Sequence, residues 1–214
     1  MIRYNIKIEP RVWCSSEDSP CYRYYNKKIS RKDLDAMCEG DGYICYESKM
    51  LRDWEAFAGH IQNGENKGTP MTLKQVKPNS LCVLTTRIPN CMEKDRCIFA
   101  VFLVDETYEG DEEEAGYVHT ESKYKIKLSP KQAQSILFWN YYANSNNPEK
   151  ANWGSGLHRY LEDKQAAQIL RDVAKVKVGT ADEKLALDFY NHFCKVKGID
   201  DSNLGGLSGA LKKQ

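Results

Sequence analysis

The sequence predicts an α+β protein in which a small β-barrel carries flanking helices. Three apolar runs of strand length, at residues 81–86, 97–105 and 124–128, are separated by polar loops. The middle run, Cys97-Ile-Phe-Ala-Val-Phe-Leu-Val104, is apolar on both faces, as in a strand buried on both sides. After Ser129 the pattern changes to helix starts and helical spacing. Small barrels place function in pockets and grooves between strands and loops, so this layout points to binding before catalysis.

Ile2, Tyr4, Ile6 and Ile8 alternate like a half-buried strand. Ser30 is placed to cap a short helix through Ala36, with Asp33 in its first turn. Gly40-Asp-Gly42 reads as a turn and Tyr43-Ile-Cys-Tyr46 as a short strand. Leu51, Trp54, Phe57, Ala58 and Ile61 fit one face of a helix over 50–64, ended by Asn63-Gly64. Pro78-Asn79-Ser80 turns the chain into the first barrel strand. The acidic stretch from Asp105 to Glu114 would repel a phosphate backbone and belongs away from any nucleic-acid face.

Ser129-Pro130-Lys131-Gln132 has the cap, proline and glutamine of a helix start, and that helix is expected to reach about Ala143. An Asn-rich loop over 144–152 and a Trp153-Gly-Ser-Gly156 turn follow. Asp163 is expected to cap a helix burying Ala166, Ala167, Ile169, Leu170 and Val173. Thr180-Ala-Asp-Glu183 opens a last helix with Leu185, Phe189 and Phe193 at spacing four. The domain reading is therefore an N-terminal extension over 1–50 packed on or completing the barrel, a domain over 51–197, and a flexible tail or linker over 198–214.

Composition narrows the function classes. The formal net charge of +1 gives no global attraction to nucleic acid, so such a site has to be a local patch. No apolar run approaches the roughly 20 residues of a membrane span. The alternating N-terminus is not a signal peptide, and with 8 cysteines it argues for a reducing, cytoplasmic location and no membrane partner. Cys14-x6-Cys21 and Cys38-x6-Cys45 lack the short spacing of zinc motifs, and Cys82, Cys97 and Cys194 lie on apolar faces, so neither metal nor cofactor is expected. Glu47-Ser-Lys49, with Asp33, Asp35 or Asp41, has the shape of a Mg-dependent nuclease motif. Glu121-Ser-Lys123 and Glu162-Asp-Lys164 repeat the triplet by chance. There is no Gly-x-Ser-x-Gly, P-loop or His-x-x-x-His motif.

A longer constellation runs through the chain. It comprises Trp54-x-Ala56-x-Ala58-Gly59, Asn63-Gly64, Gly68-x-Pro70, Val76-Lys-Pro-Asn-Ser-Leu81 and Leu84-Thr-Thr-Arg87. Residues 98–106, Phe138-Trp139, Trp153-Gly-Ser-Gly-Leu157 and Arg159-Tyr160-Leu161 complete it. Over residues 50–175 this resembles the PUA-like superfamily, and within it the EVE-type domains that accompany HNH and other restriction nucleases. Asn79-Ser80 replaces the Gly-Asp usual before the first signature strand. The resemblance implies a PUA-like (EVE-like) barrel that reads a modified base, often a modified cytosine, by flipping it from DNA rather than RNA into an aromatic pocket. It also implies a nuclease partner acting in trans.

A flipped base needs a flat apolar wall, a polar group for its edge and cations for the flanking phosphates. Trp153, Trp54 and Tyr46 are the candidate walls. Trp153 alternatively plugs the barrel end, Trp54 alternatively packs in the core, and Trp139 reads as core. Thr85, Thr86 and Arg87 end a barrel strand, and Ser155, His158 and Arg159 follow Trp153, where they suit a base edge or phosphate. Lys27, Lys28, Arg31 and Lys32, interleaved with Tyr22, Tyr24 and Tyr25, suit an electrostatic and stacking surface or an ordinary solvated face. The leading expectation is a non-catalytic nucleic-acid binding module. The alternatives are a Mg-dependent nuclease using Glu47 and Lys49, and a protein-interaction module.

Overall fold

The computed structural model describes Cys14 and residues 17–39, 44–154 and 156–212. The expected strand over residues 2–8 and the turn at Gly40–Gly42 lie outside these residues. The chain divides into two compact units, Met1–Glu55 with Ile88–Asn90, and Ala56–Arg87 with Cys91–Gln214.

The described helices of the N-terminal unit are short: α1 (Pro20–Tyr25), α2 (Arg31–Cys38) and α3 (Tyr46–Asp53). Ser30 caps α2 as expected. Its hydroxyl accepts from the Asp33 amide at 3.2 Å, and the Asp33 carboxylate accepts from the Ser30 amide at 2.9 Å. Leu34 and Cys38 are buried together against Tyr24, Ile29 and Ile44. Tyr46 begins α3 instead of ending a strand, and the helix expected over 50–64 stops at Asp53, where Trp54 turns left-handed at φ 50°. The apolar spacing through Ile61 is helical, but sheet pairing overrides it. Strand β1 (Glu55–Phe57) is followed by the Ala58 amide donating to the Gly116 carbonyl at 2.7 Å.

In the C-terminal unit β2 (Leu81–Thr86), β3 (Cys97–Leu103) and β6 (Lys125–Lys127) form one sheet in the order β2-β3-β6, antiparallel throughout. These are the three apolar runs of the sequence. All residues of β3 are buried, between two strands and beneath α4 (Pro130–Ser135). The second sheet has the order β1-β5-β4, from β4 (Glu106–Tyr108) and β5 (Tyr117–His119). The protein is thus α+β with two small sheets, and the expected closed barrel does not form among the described residues. The run over 97–105 breaks at Val104. Asp105 then turns the chain, accepting from the Thr120 hydroxyl at 3.0 Å and from the amides of Glu121 at 2.9 Å and Ser122 at 2.7 Å. Strands β1, β4, β5 and β6 have 3 residues each, too short to carry a sheet around to its own edge.

Ser129 and Gln132 form the expected capping box on α4. The helix ends well before Ala143 because the next residues bond to the start of β3. The Ile98 amide donates to Ile136 at 3.0 Å and the Phe138 amide to Arg96 at 2.9 Å. A 3-10 turn, Phe138–Asn140, then buries Phe138 and Trp139. Helices α5 (Asp163–Lys177) and α6 (Glu183–Lys197) pack on each other. Glu162, not Asp163, caps α5, sharing a box with Gln165. Residues 198–212 are not the loose tail expected. Leu204 and Ala210 are buried, the Gln168 side chain donates to the carbonyls of Leu204 and Gly206, and the Gly209 amide donates to Asn140. A Cβ at Gly209 would run into the Trp139 carbonyl, so the segment docks where glycine alone fits.

Candidate nucleic-acid interface

The register of β2 on β3 shifts between Leu84 and Thr85, and such an irregularity re-aims the side chains after it. Thr86 is buried, whereas the Thr85 hydroxyl accepts from Arg96 Nη1 at 3.4 Å. Arg96 directly follows a 3-10 turn, Glu93–Asp95, which sets Glu93 beside it. The Glu93 carboxylate takes Arg96 Nε at 2.5 Å and Nη2 at 3.1 Å, a two-point pairing that fixes the guanidinium plane. Arg87, half exposed, reaches the same carboxylate at 3.9 Å.

The Arg96 guanidinium lies 4.3 Å from the centre of the Trp153 ring, and the Arg159 guanidinium lies 4.8 Å from it. Phe138 and Trp139 border the same ring, with centroids at 5.4 and 6.4 Å. Tyr142 stacks on Phe138 at 5.3 Å. Trp153 therefore neither plugs a barrel nor stands alone on a loop. It sits half-buried between an aromatic floor and two cations.

Local chain chemistry builds this loop. Gly154 and Gly156 take φ of 66° and 85°, and a Cβ on Gly156 would stand 3.3 Å from Arg159 Nη1. Trp153 Nε1 donates to the Gly156 carbonyl at 2.8 Å. Arg159 donates to the His158 carbonyl at 2.6 Å and to the Trp153 carbonyl. Those bonds hold its guanidinium against the indole. Burial, and then the Arg159 charge, hold the His158 imidazole below its ordinary pKa, and its Nδ1 is buried without a hydrogen-bond partner.

Of the residues singled out from sequence, Thr85, Arg87, Trp153, His158 and Arg159 thus come together, and Ser155 lies outside the described residues. Sequence reasoning missed Glu93 and Arg96; their spacing, three apart just before β3, is the one local trace of the pair. Tyr46, Trp54, Lys27, Lys28, Arg31 and Lys32 belong to the N-terminal unit. There Lys27, Lys28 and Lys32 are exposed, Lys28 lies 5.4 Å from the Tyr22 ring centre, and Arg31 pairs with Asp35 at 2.8 Å. Glu47 and Lys49 lie within α3, not beyond a strand. Two residues apart on a helix, they point to different sides, so the arrangement does not support the nuclease motif.

No helix among the described residues is long and apolar enough to cross a membrane. No protein-family model, curated protein or solved structure matches the chain.

Proposed function

We propose that the C-terminal unit is a nucleic-acid binding module of the PUA-like, EVE type that reads a modified base flipped out of DNA. The observation that supports this most is the stack of Arg96 and Arg159 on Trp153, with Thr85 and Arg87 beside it. Guanidinium groups and bases are both flat and both stack on indole, so an extruded base can take the place of one guanidinium against the ring. Arg96 is pinned by Glu93 and is the fixed side of the stack. Arg159 is held by neutral carbonyls instead of a carboxylate, so it is the side that yields to a base, exchanging those bonds for the flanking phosphates. The long Arg87–Glu93 separation leaves Arg87 suited to a phosphate as well. Thr85 offers a hydroxyl to the base edge. The module uses no cofactor, and cleavage, where it occurs, falls to a nuclease partner in trans.

The test is fluorescence anisotropy on labelled duplexes carrying unmodified or modified cytosines, with matched RNA, across a salt series without metal. Tighter binding of one modified duplex, weakening steeply with salt, is expected. Absence of binding to all nucleic acids at low salt rejects the reading in favour of a protein-interaction module. Cutting by the purified chain with Mg2+ rejects it in favour of a nuclease.

A further inference from the structure

A second constellation lies wholly within the N-terminal unit, apart from the residues assigned above to base reading. The wide cysteine spacing argued against a metal site, because structural zinc motifs draw ligand pairs from one tight turn. Folding removes that objection. The sulfurs of Cys14, Cys21 and Cys45 all lie within 4.8 Å of one another. Cys21 is the second residue of α1, Cys45 immediately precedes α3, and Cys14 comes from the segment before α1. Three separate stretches therefore converge on one point.

The separations are those of a ligand set. Cys21 Sγ and Cys45 Sγ are 3.6 Å apart. A tetrahedral ion with Zn–S bonds of about 2.3 Å holds its sulfurs about 3.8 Å apart. A disulfide needs about 2.05 Å, and all the cysteines are thiols. Hydroxyls stand where they can orient thiolates. Ser19 Oγ is 2.9 Å from Cys14 Sγ, and buried Ser48 Oγ is 3.0 Å from Cys45 Sγ and 3.6 Å from Cys21 Sγ.

Two further observations point to a cation. Thiolates this close repel one another unless a positive ion sits among them. Among the described residues the unit also has only a small core. Its described helices have 6, 8 and 8 residues, around a core centred on Leu34 and Cys38. Units this small are commonly stapled by metal or disulfide.

We infer that Cys14, Cys21 and Cys45 bind one zinc ion as thiolates and that this site holds the N-terminal unit together. Sulfur donors select zinc over magnesium or calcium. Binding displaces the three thiol protons to solvent, leaving three thiolates on the divalent ion. Structural zinc is four-coordinate, so the remaining position falls to a donor beyond these three thiols, such as water.

The test uses the full chain, purified under reducing conditions from zinc-supplemented cells. Elemental analysis should give about one zinc per chain, released into a chromogenic chelator by a thiol-blocking reagent. Cobalt substitution should give an intense sulfur-to-metal charge-transfer band. Cys14→Ser, Cys21→Ser and Cys45→Ser should each lower zinc content at least about tenfold, while Cys91→Ser keeps it. Wild-type protein without zinc and without a cobalt band overturns the inference, whether or not the serine variants fold. So does zinc retained when all three serines are combined, or a Cys21–Cys45 disulfide under reducing conditions.

Discussion

The two units differ in the core that their described residues build. In the C-terminal unit every residue of β3 is buried, and Phe99, Phe102, Trp139, Phe189 and Phe193 have essentially no exposed surface. In the N-terminal unit the described core gathers around Leu34, with three thiols set side by side nearby. Apolar area holds the first, and the zinc that we infer among the thiols would add to the smaller described core of the second. The difference teaches where a bound metal would matter: little beside a strand buried along its whole length, and much beside a small described core.

Removing metal is the strongest way to break this comparison. A chelator in reducing buffer should abolish the helical signal of the N-terminal unit, because structural zinc contributes about 10–16 kcal/mol of binding free energy in small folds. The melting transition of the C-terminal unit should persist, as followed by hydrogen exchange of the β3 amides. Equal loss of protection in both units would abolish the distinction. The converse test is Phe99→Ala. It empties a fully buried site at the middle of β3 and should cost about 3–5 kcal/mol in chemical denaturation of the C-terminal unit, with zinc content unchanged.

The comparison also explains what could be read in advance. The strands over 81–86, 97–103 and 125–127 and the boxes at Ser30 and Ser129 follow from local pattern, since burial period and cap chemistry are written within a few residues. The early ends of α3 and α4 are not local. Pairing of 55–57 with β5, and of 136–138 with the start of β3, decides them. The site divides in the same way. Trp153, flanked by glycines and followed by Arg159, stands out in the chain itself. Arg96 acquires meaning only when β2 brings Thr85 beside it, and the thiol cluster only when three segments meet.

Smaller effects sharpen the contrast in binding. Trp153→Ala should cost about 1–3 kcal/mol in DNA affinity if a base stacks there. Its stability cost should be smaller, about 0.5–2 kcal/mol from the missing guanidinium–indole attraction, because the ring is only half-buried. Loss of stability with affinity intact would remove Trp153 from the binding face. Neutralising Lys27, Lys28, Arg31 and Lys32 together tests whether the N-terminal unit also meets the phosphate backbone. The salt slope should flatten by about 0.9 for each duplex phosphate that is no longer neutralised. Arg31 already holds Asp35, so the three exposed lysines should carry most of the change. An unchanged slope confines binding to the C-terminal unit.

The smallest effect concerns His158, whose burial and whose neighbour Arg159 both oppose its protonation. Its folded pKa is therefore below the ordinary value of 6.5, and the unfolded chain binds the proton more readily. Stability contributed by the neutral imidazole is fully present above pH 6.5 and is lost as pH falls through the folded pKa. His158→Gln removes the titration and keeps a polar side chain of similar reach. Denaturant midpoints of wild type and variant should run parallel above pH 7 and diverge below about pH 6, with the wild type falling faster. The divergence should sit in the C-terminal unit's transition, where the imidazole is packed beside Arg159. Parallel curves down to pH 5 would mean that His158 titrates alike in the folded and unfolded chain, and that the Trp153 loop does not shield its ring from water.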